Sequence, residues 1–330
     1  MRYSEILASF LCYTSDMKKS ITILIPAYNE EPVLPTLYDR LAKLAGTVPA
    51  YRFEFLFIND GSNDNTLNMI KQFVVKDNRV SYINLSRNFG KEIAMIAGID
   101  HVNSDATVII DADLQDPPEL IPKMIELWEE GYDDIYARRS KRLGESWFKK
   151  ATSTLFYRIL QRSTSIPIQR DTGDFRLLDR RSIDALKQIR ERERYTKGLF
   201  SWIGFNKKEI TYVRDPRAAG ETKWNYFKLL NLAVDGIVSF TTAPLRFSTI
   251  LGMIISFFAF VYIVVIVVRT LIFGIDAAGY PSIMAVVLFL GGVQLLSLGI
   301  IGEYIGRIFN ETKQRPLYLV EDYHKAKADK

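Results

Sequence analysis

The sequence is poor in the side chains that most metal chemistry and covalent chemistry uses. Its 330 residues include one cysteine, Cys12, and two histidines, His101 and His324. A lone cysteine excludes an internal disulfide, and the presence of only two histidines argues against a histidine metal site or a Ser-His-Asp triad. The net charge of +5 comes from 43 basic and 38 acidic residues. Since this excess is small, we expect no nucleic-acid partner.

Charge is missing altogether from two long segments near the C-terminus. Residues 247–268 and 277–302 contain no charged side chain. A helix of 22 residues is about 33 Å long, and the hydrocarbon core of a bilayer is about 30 Å thick. We therefore predict a transmembrane hairpin, with spans at about 247–268 and 281–302, in preference to two helices buried in a soluble core.

The remaining sequence divides around this hairpin. Short apolar runs at residues 21–26, 53–58, 80–85 and 107–110 predict β-strands. Helical patterns lie between them, and Asn29 is the expected N-cap of the first helix. This alternation predicts an α/β domain with a mostly parallel sheet, whose ligands bind at the carboxyl ends of the strands. The expected segments are an N-terminal extension (1–17), this domain (18–223), a juxtamembrane helix (224–243), the two spans (244–306) and a tail (307–330).

A pair of carboxylates follows the fourth predicted strand. Asp111 and Asp113 are separated by one residue, so an extended chain directs both side chains to the same face. Oxygen ligands without histidine or thiolate favour Mg²⁺ or Mn²⁺, which usually completes its coordination with phosphate oxygens. We predict a metal site here, in preference to a simple loop or helix-cap role for the two residues.

Polar residues also follow the first two predicted strands. Asp60 ends the second strand, where a carboxylate can accept hydrogen bonds from the N–H groups of a nucleobase. Pro26, Tyr28 and Glu30 lie at the end of the first strand, at the same predicted edge, and can surround the base and ribose. The sequence therefore indicates a nucleotide site beside the metal site.

Four motifs, in this order and spacing, resemble those of inverting family 2 glycosyltransferases with the Rossmann-like GT-A fold. They are PAYNEE from residue 26, NDGSNDNT from 59, RNFGKE from 87 and DADLQDPPE from 111. With the hairpin, residues 20–310 resemble polyisoprenyl-phosphate glycosyltransferases. Among these, the bactoprenol (undecaprenyl phosphate) glucosyltransferases are the nearer match, and the dolichyl-phosphate mannose synthases are more distant. The Gln-x-x-Arg-Trp motif of processive polysaccharide synthases is missing, which favours a single transfer.

The resemblance implies a role for each matching residue. Asp174 stands where a catalytic carboxylate is expected, although an ion pair with Arg176 or Arg180 is an alternative. The implied donor-binding residues are Pro26, Tyr28, Glu30, Asp60, Lys91, Asp111 and Gln115, and the implied metal ligands are Asp111 and Asp113. For Lys91, the alternative is an exposed base with a structural role. The candidates for binding acceptor or donor phosphate, each of which has an ordinary surface position as its alternative, are Arg139, Arg142, Arg217 and Lys223.

The same resemblance implies the reaction. It is the transfer of one sugar, glucose from UDP-glucose, to undecaprenyl phosphate with inversion at the anomeric carbon. A phosphate acceptor has a second pKa of about 6, so it is already largely ionised and needs little help from a base. We expect charge neutralisation and alignment to matter more than proton abstraction. Two alternatives stay open, namely GDP-mannose or a UDP-aminosugar as donor, and a non-catalytic nucleotide-binding membrane scaffold.

The distribution of basic residues predicts how the chain meets the membrane. Residues 138–162 are rich in basic and aromatic side chains, which is typical either of a helix on an anionic bilayer surface or of an ordinary solvated face. Basic residues flank the hairpin on its outer ends, so we expect the soluble domain and both termini in the cytoplasm, at the inner (plasma) membrane. Glycines in the second span suggest a homo-oligomer, with a tetramer as one option. The flanking basic residues are Lys223, Lys228, Arg246, Arg307, Lys313 and Arg315.

Overall fold

The computed structural model describes residues 18–139, 172–192, 196–212, 242–273 and 279–326. Three predicted segments lie wholly or largely outside these ranges: the N-terminal extension, the basic segment at 138–162 and the juxtamembrane helix. The predicted phosphate-binding residues Arg142, Arg217 and Lys223 also lie outside the described residues.

The core of the soluble domain is a mixed sheet in the order β7-β5-β6-β4-β1-β2-β3-β8. Strands β4, β1, β2 and β3 are parallel, as predicted, and β5 and β7 are also parallel. Antiparallel pairs join β6 to β4 and β5, and β8 to β3. The strands are β1 (Ser20–Ala27), β2 (Arg52–Asn59), β3 (Val80–Leu85), β4 (Ala106–Ile109), β5 (Asp134–Arg139), β6 (Thr172–Asp179), β7 (Lys207–Tyr212) and β8 (Val320–His324).

Helices cover both faces of this sheet, because its central strands are apolar on both sides. In β1, Ile23 and Ile25 contribute to the hydrophobic cluster on one face, and Leu24 contributes to the cluster on the other. A 3₁₀ turn at Pro118–Leu120 precedes the fourth helix. The helices are α1 (Leu34–Thr47), α2 (Thr66–Lys76), α3 (Lys91–His101), α4 (Ile121–Glu129), α5 (Arg180–Gln188), α6 (Thr196–Trp202), α7 (Ala243–Phe273) and α8 (Tyr280–Thr312).

The predicted N-cap of the first helix is wrong. Helix α1 begins at Leu34, and Asn29 has a left-handed backbone conformation with φ of 56°. The side chain of Asn29 accepts a hydrogen bond from the N–H of Asn63 at 2.8 Å. Asparagine tolerates the left-handed region better than most residues. Asn29 therefore joins the loop after β1 to the loop after β2, and does not start a helix.

Helices α7 and α8 contain the predicted transmembrane hairpin and are longer than the two predicted spans. By length and composition, the segments Pro244–Phe273 and Phe289–Thr312 are each able to cross a membrane. Their apolar side chains face outward; Phe258 and Leu271, for example, are 65% and 81% exposed. An exposed apolar surface of this extent is typical of a segment that lies in lipid.

The segment after the hairpin returns to the sheet, which the sequence did not predict. Strand β8 pairs antiparallel with β3 at the edge of the sheet. Tyr82 donates a hydrogen bond to Asp322 at 2.6 Å, and the amide of Asn84 donates one to Glu321 at 2.8 Å. Three of the five residues in β8 are charged or histidine, so the strand has little apolar periodicity. Since α8 ends at Thr312, a short connection ties the second apolar helix to the sheet.

Gly98 in α3 offers a test of the packing between this helix and the sheet. A Cβ at this position would lie 2.6 Å from Leu24 Cδ1 and 2.9 Å from Ile58 Cδ1, and both side chains are fully buried. We expect Gly98→Ala to destabilise the protein by about 1–3 kcal/mol because the core is overpacked. The measurement is the thermal unfolding midpoint in detergent.

Gly46→Ala is the matched control, because a Cβ at Gly46 would have no atom within 4 Å. It should leave stability unchanged or raise it by up to about 1 kcal/mol, since alanine favours the helix. Equal unfolding midpoints for the two variants would contradict the packing described for α3.

Candidate active site

Three predicted site residues meet at the carboxyl edge of the parallel strands. Asp111 follows β4, and Asp174 lies near the start of the antiparallel neighbour β6. The ammonium group of Lys91, the first residue of α3, lies 2.6 Å from Asp111 Oδ1 and 2.7 Å from Asp111 Oδ2. It also lies 2.5 Å from Asp174 Oδ2. One lysine therefore bridges two carboxylates from neighbouring strands and offsets part of their negative charge.

The alternative partners of Asp174 are engaged elsewhere. Arg176 pairs with Asp134 at 3.1 Å, and both side chains are fully buried. Arg180 pairs with Asp184 at 3.0 Å. The ion-pair partner of Asp174 is therefore Lys91, and neither Arg176 nor Arg180.

The surrounding charges keep Asp174 ionised. Burial of its side chain disfavours the charged form, but the ammonium groups of Lys91 and Lys197 outweigh this and lower the pKa of Asp174 to about 2. A general base works best when its pKa is near the operating pH. Asp174 is therefore a poor proton acceptor and a strong fixed negative charge.

Asp60 positions the loop that immediately precedes Lys91. Its carboxylate is 2% exposed and accepts hydrogen bonds from the N–H groups of Phe89 at 2.8 Å and Gly90 at 2.9 Å. Gly90 has a φ of 95°, a conformation that favours glycine. Burial raises the pKa of Asp60 despite these two donors. The structure thus gives Asp60 a positioning role, and its contact with a nucleobase stays a prediction.

The other predicted donor-binding residues lie in the loops at the same edge. Pro26 is buried at the end of β1, whereas Tyr28 is 42% exposed. The backbone N–H of Glu30 donates to the hydroxyl of Thr66 at 2.9 Å. Buried Gln115 donates its backbone N–H to Asp113 at 3.1 Å. Their contacts with a donor stay predictions.

Arg139 is the one predicted phosphate-binding residue within the described ranges. It ends β5, and a Cβ on Gly173 would lie 3.4 Å from its guanidinium. Tyr212, at the end of β7, donates a hydrogen bond to Asp116 and also interacts with Arg139. Arg139 therefore lies beside Gly173, the residue before Asp174, and Tyr212 helps to position it.

The sequence did not identify two further ionisable groups near Asp174. Glu92 accepts a hydrogen bond from the N–H of Thr196, and its burial, with the nearby charge of Asp174, raises the pKa of Glu92 to about 7. Burial lowers the pKa of Lys197, which is attracted by Asp174. Glu92 lies in the motif RNFGKE, but its proximity to α6 depends on the tertiary structure.

Asp111 and Asp113 could supply only some of the ligands that a hard divalent ion needs. Both provide carboxylate oxygens, which suit Mg²⁺ or Mn²⁺. Within the described ranges, however, no three His, Cys, Asp or Glu side chains cluster so that they could hold a metal ion. A metal ion would therefore need further oxygen ligands from a substrate and from water.

The sheet has a GT-A-like architecture, acidic residues lie at its carboxyl edge, and two helices apolar enough to cross a membrane follow in the chain. Residues 22–187 match the family described as glycosyl transferase family 2, and residues 243–308 match the GtrB C-terminal hairpin. The chain belongs to glycosyltransferase family 2.

Several relatives match almost the whole chain. An uncharacterized glycosyltransferase of Synechocystis sp. is 49% identical over 93% of this chain and 96% of the relative. The bactoprenol glucosyl transferase of Shigella phage SfX is 42% identical over 91% of this chain and 98% of the relative. The prophage bactoprenol glucosyl transferase homolog of Escherichia coli matches with the same identity and coverage.

Glu92 predicts a pH dependence of stability. Its pKa is about 7 in the folded protein and 4.5 ordinarily, so the folded state holds a proton that the unfolded chain releases between these values. Stability from this group is therefore lost as pH rises from about 4.5 through 7, by about 3 kcal/mol at most. We expect Glu92→Gln to match the wild type near pH 5 and to be more stable at pH 8.

The measurement is the unfolding midpoint of both proteins from pH 5 to pH 8. Glu126→Gln is the control, because Glu126 lies on the exposed side of α4 and its side chain is 63% exposed. A constant difference between Glu92→Gln and the wild type across this range would contradict the raised pKa.

Proposed function

We propose that this protein transfers a single glucose from UDP-glucose to the phosphate of a polyisoprenyl phosphate such as undecaprenyl phosphate. The observation that carries the proposal is the cluster of Lys91, Asp111 and Asp174 in a chain that also contains an apolar helix hairpin. The first suits a nucleotide-sugar donor, and the second suits an acceptor whose hydrocarbon tail lies in a bilayer. The 42% identity with bactoprenol glucosyl transferases supports glucose and this acceptor class.

The donor diphosphate would bind at the carboxyl edge of the sheet. Asp111 and Asp113 would hold Mg²⁺ or Mn²⁺, which when bound supplies positive charge to the leaving nucleoside diphosphate. Pro26, Tyr28 and Glu30 would surround the nucleoside. Gln115 would support this edge through its hydrogen bond to Asp113, and Asp60 would do so through the loop that begins α3.

The acceptor phosphate would approach from the side of Asp174. Arg139, with Arg142, Arg217 and Lys223 from outside the described residues, would neutralise its charge. Since the phosphate is already ionised at neutral pH, a base is not required, and the low pKa of Asp174 agrees with this. Asp174 would instead keep Lys91 in position while the phosphate oxygen attacks in line. Inversion would then convert an α-linked donor into a β-linked product.

The membrane arrangement follows from the same proposal. Helices α7 and α8 would cross the inner (plasma) membrane twice, with the catalytic domain and both termini in the cytoplasm, where basic residues flank the hairpin. The connection from α8 to β8 would hold the domain at the bilayer surface. Glycines such as Gly291 and Gly299 would allow α8 to pack closely against another copy in a homo-oligomer, such as a tetramer.

The direct test is transfer of radiolabel from UDP-glucose to undecaprenyl phosphate, scored in the fraction that organic solvent extracts. We expect labelled lipid that EDTA abolishes and that Asp113→Ala does not form, because the metal site would be lost. Asp133→Ala is a control away from the site. If label is transferred from GDP-mannose or a UDP-aminosugar but not from UDP-glucose, that nucleotide sugar is the donor. Nucleotide binding without transfer from any donor would favour the non-catalytic scaffold.

Asp174→Asn tests the role of this carboxylate. We expect kcat to fall by about 10²–10³-fold, since a charge in the site is lost, with a much smaller effect on donor affinity. The ratio of variant to wild-type kcat should stay constant from pH 5.5 to pH 8.5, because the pKa of Asp174 is about 2. Asp184→Asn, whose ion pair with Arg180 is exposed, is the control. A ratio that changes with pH would identify Asp174 as a base, and near-normal turnover would remove it from the mechanism.

A further inference from the structure

We propose that Lys91 is the resident counter-ion of the metal site. Its ammonium group bridges Asp111 and Asp174 and offsets part of their charge, and a metal–nucleotide complex would displace it from Asp111. This role rests on the proposed function. It implies that the metal binds together with the nucleoside diphosphate, because the metal alone must compete with Lys91 for Asp111.

The geometry places the ammonium where a metal ion would be expected. Both oxygens of Asp111 lie within 2.7 Å of Lys91 Nζ. Mg²⁺ takes carboxylate oxygens at about 2.0–2.1 Å, so an ion bound to Asp111 would use the same oxygens. Two cations cannot occupy this position together. Binding of the metal to Asp111 therefore requires the ammonium to move.

The side chain of Lys91 can move, whereas the carboxylates are held. The side chains of Asp111 and Asp174 are 19% and 9% exposed, but that of Lys91 is 44% exposed. The backbone at the start of α3 is fixed through Gly90, whose N–H donates to Asp60 at 2.9 Å. Rotation of the Lys91 side chain is therefore enough to free Asp111, and the loop before α3 can stay in place.

The charges explain why a cation is needed before the substrate arrives. Two adjacent carboxylates with little exposure repel each other and lose hydration, so an unneutralised pair would be costly. Lys91 reduces this cost through its contacts with both carboxylates. When a diphosphate brings its own negative charge together with a divalent ion, the ammonium can stay near Asp174 and turn toward the phosphates.

The test is Mn²⁺ binding to the full-length protein in detergent, measured by electron paramagnetic resonance with and without UDP. We expect Lys91→Gln to bind Mn²⁺ alone about tenfold more tightly than the wild type, within the usual range of coupling between ligands. UDP should then tighten Mn²⁺ binding less in this variant than in the wild type. Lys91→Arg keeps the charge and should retain the weak binding of Mn²⁺ alone.

Two controls make the result specific to this position. Lys123→Gln removes a lysine that is 57% exposed on α4 and should behave as the wild type. Asp111→Asn should weaken Mn²⁺ binding in both conditions. If Lys91→Gln does not fold, as judged by its thermal unfolding, Lys91→Met is the second variant with the same expectation.

Unchanged or weaker binding of Mn²⁺ alone in Lys91→Gln, or in Lys91→Met where that variant replaces it, would overturn the proposal. In particular, weaker UDP binding with unchanged Mn²⁺ binding would make Lys91 a simple phosphate ligand. The assay contains neither sugar nor lipid, so its outcome is separate from that of the transfer assay. Suppose that Lys91→Gln binds Mn²⁺ more tightly but the wild type does not glucosylate undecaprenyl phosphate. This result would support the counter-ion role of Lys91 and would reject the proposed donor or acceptor.

Discussion

The contact of one ammonium group with two carboxylates is the interaction on which the active site depends. Strands β4 and β6 are hydrogen-bonded neighbours, so the sheet brings Asp111 and Asp174 close together. Two carboxylates that are this close to one ammonium group, and have little exposure to water, repel each other unless a cation lies between them. Lys91 provides it from α3, and the pKa of Asp174 falls as a result. The same contact keeps Asp174 ionised and holds the side chains of Asp111 and Asp174 on one ammonium group.

The loop before α3 explains why the cation comes from this residue. Asp60 ends β2 and accepts hydrogen bonds from two successive N–H groups, so the β2 edge determines where α3 begins. Gly61 allows the close approach, because a Cβ there would lie 2.4 Å from the backbone of Arg87. The site is thus built from backbone contacts between loops, with a movable lysine side chain at its centre.

The membrane segment and the sheet form a continuous chain of contacts. Helix α8 leads through a short connection to β8, which hydrogen-bonds to β3. Glu321 in β8 contacts Asn84, and Asn84 accepts a hydrogen bond from Asn59 at 2.7 Å, one residue before Asp60. An enzyme whose acceptor is partly in the bilayer needs its domain held near that surface. The C-terminal strand ties the second apolar helix to the sheet by pairing with β3.

The sequence by itself determined the parallel strands, the apolar hairpin and the carboxylates of the site, because periodicity and motif spacing are local signals. It did not determine the ion-pair partner of Asp174, the backbone N–H groups that Asp60 accepts from, the start of α1 or the strand β8. Each of these depends on groups that are far apart in the chain, as with Lys91 and Asp174 or Tyr82 and Asp322. Only the tertiary structure decides which opposite charges meet, since burial and neighbouring strands select among many possible partners.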